Sequence, residues 1–124
     1  MIQFTIPLVP ISKKNSQQIF RNSRNGRPFI VPSKKYKEYE EAARWFLPKI
    51  PTITTAVNVK CLFYMPTHRK CDLTNMLEAV DDILVGASVL QDDNFTIVQS
   101  HDGSRVLYDK EHPRTEVYIT PSDE

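Results

Sequence analysis

The chain has 124 residues, 40% of them hydrophobic and 10% aromatic, and carries 16 Lys or Arg against 15 Asp or Glu. These values predict one soluble domain over residues 1–124, large enough for a single core. No apolar run reaches bilayer length and no charged-then-apolar leader opens the sequence, so a membrane partner is not expected.

Cysteine and histidine usage narrows the chemistry. Cys61 and Cys71 make neither a CxxC pair nor a disulfide framework, so a reducing cytoplasm is the default compartment. His68, His101 and His112 show no zinc-ligand spacing, and no pattern ties them to a nucleophile. The near-neutral total hides an asymmetry: residues 1–50 have a balance of +7 and residues 51–124 a balance of −6. A basic half of this kind suits a polyanion. The plainer reading of Lys34, Lys35, Lys37, Glu38, Glu40 and Glu41 is a solvated helix face.

Ile2–Leu8 alternates apolar and polar residues and predicts an opening strand. Residues 10–16 form a basic loop with Lys13, Lys14 and Asn15. Gln17–Arg21 and Pro28–Val31 read as short strands around the turn-rich Asn22 to Gly26. Ser33 then caps a helix over Lys34 to Leu47, whose Tyr36, Tyr39, Ala43 and Phe46 recur at core spacing. Pro48 and Pro51 end it. Ala56–Met65 is the clearest strand, with Val57, Val59, Cys61 and Phe63 on one face.

A second helix is predicted over Thr74–Val85, with Met76, Leu77, Val80, Ile83 and Leu84 facing the core and Gly86 as its stop. Asn75, Glu78 and Asp82 fall within about 60° of one another on the opposite arc. Asn94–Ser100 and Thr115–Thr120 predict further strands, with a turn at Asp102-Gly103. Arg105 and Arg114 read as surface residues, and Asp81 as a solvated helix-face residue. The fold class is a small mixed-sheet α+β domain with two principal helices.

The acidic residues carry the chemistry. Asp72, Glu78, Asp82, Asp92 and Asp93 gather along the second helix and its flanks. Such carboxylates repel and raise each other's pKa unless a cation sits among them. Hard oxygen donors suit Mg²⁺, with Mn²⁺ as a substitute. Asp72 alone also reads as a helix N-cap, worth about 1 kcal/mol, and capping does not preclude metal binding. Asp92-Asp93 alone reads as an ordinary loop pair.

The arrangement Asp72-x-x-Asn75, Asp82, then Asp92-Asp93 resembles the RusA-type Holliday-junction resolvases. So do Pro10 to Asn15 and Pro32 to Tyr36, and the resemblance covers most of the chain. It implies a homodimer that binds four-way DNA junctions and cuts two strands symmetrically with Mg²⁺. By motif position, Asp72 and Asp93 match essential carboxylates and Asp82 a further acidic position, with Asp92 beside the Asp93 ligand. The usual family pattern is Asp-x-Asp-Asn with a Lys three residues on. Here Thr74 replaces the second Asp and Glu78 the Lys.

Glu78 lies on the same face and is the candidate to restore the lost charge as metal ligand and catalytic residue. The candidate DNA contacts are Lys13, Lys14, Asn15, Lys34, Lys35, Arg69, Lys70 and Asn75. Competing readings are a non-catalytic junction binder with a decayed metal site, a nuclease for other branched DNA, and a small-molecule phosphoesterase. The extended cationic half disfavours the last.

Overall fold

The computed structural model describes residues 1–13, 17–21, 26 and 28–122. In chain order the elements are β1 (Ile2–Ile6), β2 (Gln17–Arg21), β3 (Pro28–Pro32), α1 (Lys34–Ala43), β4 (Val57–Met65), α2 (Leu73–Gly86), β5 (Val98–Ser100), β6 (Arg105–Tyr108) and β7 (Arg114–Pro121). A 3₁₀ turn, Arg44–Phe46, extends α1.

The alternation in β4 places Val57, Val59, Cys61 and Phe63 on one fully buried face. One edge of β4 pairs antiparallel with β7, from Val57↔Pro121 to Tyr64↔Arg114, and β7 pairs antiparallel with β1. The other edge is shared by β5 and β6, both parallel to β4. A parallel neighbour requires a crossover, and α2 supplies it between β4 and β5. β2 and β3 form a separate antiparallel pair. Of the turn expected between them, only Gly26 is among the described residues.

Met76, Val80 and Leu84 of α2 pack on the buried face of β4 and β7. Tyr36, Tyr39 and Ala43 of α1 meet Ala79 and Ile83 of α2 and Ile6 of β1 in a second cluster. Ser33 caps α1 as expected, its Oγ accepting from the Tyr36 N–H at 3.1 Å. The α-helix ends at Ala43, earlier than expected, because Pro48 forces Leu47 into extended backbone and the last turn tightens. The tightening carries Phe46 off the buried stripe, leaving it 42% exposed rather than in the core.

Other expectations are corrected. Gly86 is the last helical residue of α2, not its stop; Ser88 takes the left-handed conformation, with φ 61°. The Ala87, Ser88 and Val89 N–H groups still reach back to carbonyls of the last helical turn. Residues 94–97 are a turn, because Asn94 Oδ1 accepts from the Thr96 N–H and the Asn94 carbonyl from Ile97 and Val98. Strand β6 was not anticipated. Arg114 is not a merely solvated residue: it bonds Glu116 at 2.8 Å and Asp109 at 2.9 Å, with its guanidinium 3.8 Å from the Tyr64 ring centre.

Asp81 departs furthest from expectation. It is 7% exposed, and His101 Nε2, just past β5, lies 2.8 Å from its Oδ2. The carboxylate beside His101 raises the imidazole pKa above its ordinary 6.5, against the opposing effect of burial. A raised folded-state pKa means that the stabilisation is complete below about pH 6.5 and is lost as pH rises through the raised value. As pH rises above about 6.5, wild-type protein is therefore expected to lose more urea resistance than a His101→Gln variant does. Ser88→Gly removes the left-handed penalty and should stabilise the fold by about 0.5–1 kcal/mol, read from urea unfolding.

Candidate active site

The residues of α2 that do not face the sheet form the polar stripe that the periodicity predicts. Glu78 is exposed, and Asn75 and Asp82 are half-buried. Asp72 occupies the N-cap position, with φ −94° and ψ 125°, but its side chain does not cap the helix. Its Oδ2 instead accepts from Asn75 Nδ2 at 3.2 Å, so Asn75 steadies an exposed carboxylate. Thr74 is exposed in the same turn. With about 100° of rotation per residue, Glu78 lies about 40° from Thr74 and one turn further along.

Asp82 belongs to a different neighbourhood. Lys13 Nζ lies 3.1 Å from its Oδ2, and the same ammonium is 5.8 Å from the centre of the Tyr36 ring. Lys13, read from sequence as a DNA contact, here neutralises a carboxylate. Asp92 and Asp93 follow in the turn beyond Leu90, a segment tied down by the Gln91 N–H donating to Ile53 O at 3.0 Å. The Asp93 N–H donates to Asp92 Oδ1 at 2.7 Å. Partial desolvation, a side-chain hydrogen bond with Asp92, and repulsion from Asp92 and Asp82 raise the Asp93 pKa.

The acidic residues therefore divide into two groups. Asp72 stands at the start of α2, and Asp82, Asp92 and Asp93 sit near its end. Ten residues of helix between Asp72 and Asp82 correspond to about 15 Å along the axis. A cation with ligands at about 2.1 Å cannot bridge that span. Among the described residues no group of three His, Cys, Asp or Glu side chains is placed to hold a metal within one chain. The donors are nonetheless of the hard oxygen type that suits Mg²⁺.

Cations collect at the Asp72 end. Lys35, Arg69 and Lys70 line a recess of about 510 Å³ together with Ser12, Cys71 and Met76. Sequence reading named the three cations separately but not the cavity they share, since residues 9–12, α1 and the loop after β4 meet there only in the fold. Burial and the nearby Asp72 raise the Cys71 thiol pKa, which disfavours the thiolate. Lys34 points along its own helix toward Glu38 at 3.9 Å, both ends being exposed. Lys14 and Asn15 lie outside the described residues.

The chain matches the family described as endodeoxyribonuclease RusA over residues 7–120. No curated protein matches it.

The charges around Asp93 predict an NMR result. Asp82→Asn removes a like charge and should lower the Asp93 carboxyl pKa, whereas Lys13→Met leaves Asp82 uncompensated and should raise it. A carboxyl-detected titration of both variants reads the two opposite shifts.

Proposed function

The chain belongs to the RusA endodeoxyribonuclease family, and we propose that it works with Mg²⁺ as a two-fold homodimer whose metal sites are completed across the dimer. The family's activity is the resolution of Holliday junctions by phosphodiester hydrolysis in recombination, and that is the activity of this enzyme. The observation that carries the proposal is the separation of Asp72 from Asp82 along α2, with Asp93 within electrostatic reach of Asp82.

A two-fold axis is isologous: whatever one surface contributes to its partner, it receives in return. The Asp72 end of one protomer meeting the Asp93 end of the other brings the two carboxylate groups together, and does so twice. Two equivalent sites also match the approximate two-fold symmetry of a four-way junction and paired symmetrical cuts. Mg²⁺ at such a site supplies an activated water and charge relief for the phosphate and the departing 3′ oxygen.

The chain's own residues take the remaining roles. Asp72 and Asp93 serve as anchoring carboxylates, with Asp92 beside Asp93. Asn75 holds Asp72 in position. Glu78 restores the charge that Thr74 lacks, and Asp82 orients the acidic turn while its excess charge is balanced by Lys13. Lys35, Arg69 and Lys70 bind phosphates beside Asp72, which makes affinity fall as salt rises. Among the described residues no helix is long and apolar enough to cross a membrane. The two free thiols fit the reducing cytoplasm we assign to it.

Subunit mixing tests this directly on a mobile four-way junction. Asp72→Asn and Asp93→Asn homodimers should each fail to nick in Mg²⁺, as wild type fails in EDTA. Mixed dimers of the two variants should recover nicking, because one composite site is then wild type and the other carries both changes. No recovery despite demonstrated subunit exchange would overturn the shared site. Glu78→Ala should lower both Mg²⁺ affinity and cleavage; unchanged values for both would refute its compensating role.

A further inference from the structure

The recess beside Asp72 has a composition that phosphate binding alone does not explain. A site for the DNA backbone needs cations on a polar surface, yet Val9, Pro10, Ile11, Met65 and Met76 supply apolar walls here. Met76 is 2% exposed and belongs to the core, so the inner wall is held by packing. Lys35, Arg69 and Lys70 stand among those apolar residues, and among the described residues no carboxylate lines the recess. Apolar walls with positive charge suit a flat apolar ring attached to an anionic backbone. Its volume of about 510 Å³ lies within the range of small-molecule sites, about 300–1,000 Å³.

We propose that this recess accepts one nucleobase extruded from the junction, with the adjoining phosphates on Lys35, Arg69 and Lys70. The proposal rests on the resolvase reading above and adds to it a determinant of where the strand is cut. Extrusion costs least for a base that is already poorly paired or stacked, and the branch point of a four-way junction offers such bases. Cys71 lines the recess and Asp72 is the next residue, so a seated base registers its strand against the carboxylate. Phosphate contacts alone position a protein without reading sequence; a base in a pocket can be read.

Among the described residues the lining contains no aromatic side chain, which gives the test its signal. A fluorescent 2-aminopurine base, quenched when stacked in DNA, should stay bright in a recess with no ring to stack on. Junctions carrying 2-aminopurine at single positions around the branch point are bound by full-length protein in EDTA, so that no strand is cut. Wild type should give a several-fold rise at one position. Val9→Met and Thr67→Leu fill the recess without adding an aromatic ring, from residues that already face solvent, Val9 being 43% exposed. Measured on the junction that they bind, both should abolish the rise and lose preference among cut positions in Mg²⁺.

Two results would overturn the pocket and leave the resolvase reading intact. One is no rise at any position from a preparation that cuts junctions in Mg²⁺. The other is a rise that persists in both filled variants, which would place the unstacking in the DNA alone. Absence of junction binding and cutting by wild type would overturn both readings together.

Discussion

The packing of α2 against the buried face of β4 is the constraint on which the rest of the molecule depends. Met76, Val80 and Leu84 meet Val57, Val59, Cys61 and Phe63 in one cluster, which fixes the rotation of the helix about its axis. Once that rotation is set, Asn75, Glu78 and Asp82 must point away from the sheet. The same packing fixes where the helix begins and ends. The loop after β4 delivers Asp72 to one end, and the chain turning back at Val89 and Leu90 delivers Asp92 and Asp93 to the other. The distance between Asp72 and Asp82 is therefore set by a helix whose core face is already committed.

Asp81 and Asp82 show how much one residue of rotation decides. A step of about 100° puts Asp81 about 40° beyond Leu77, at the edge of the buried arc, and Asp82 on the open side. Asp81 becomes a 7% exposed carboxyl group that requires a polar partner, and His101 Nε2 at 2.8 Å provides it, joining α2 to the segment after β5. Asp82 stays within reach of the basic loop and takes Lys13. The first pair fastens the crossover helix to the sheet, and the second balances charge beside Asp93. Their adjacency in sequence hides two separate electrostatic tasks.

The features legible in the sequence were those with a strong local period. The β4 alternation, the apolar arc of α2, the Ser33 cap and the final strand all rest on residues within a turn or a few strand positions of each other. The rest depended on distant partners. β6 has only four residues, none of them fully buried, and exists because Leu62 to Met65 offer it a parallel edge. Asp81 and Arg114 looked solvated because His101, Tyr64 and Asp109 come to them through the fold. The candidate site was legible as residue types, since the motif named the carboxylates. Its division along α2 becomes plain only when Asp72 and Asp82 are measured along the axis instead of around it.

That division also gives the substitutions at Thr74 and Glu78 a setting. Both lie toward the Asp72 end, where the recess gathers Lys35, Arg69 and Lys70 and where a carboxylate lost at Thr74 leaves the local balance more positive. A Lys at position 78 would add to that excess; Glu78 opposes it one helical turn from Thr74. The opposite end carries Asp82, Asp92 and Asp93 with Lys13 as the cation bonded to Asp82, and Asp93 resists ionisation there. One end is thus cation-rich and the other anion-rich, a complementarity that suits the two-fold pairing proposed above. The electrostatics that separate the two acidic groups within one chain are the same ones that would favour the two-fold pairing proposed above.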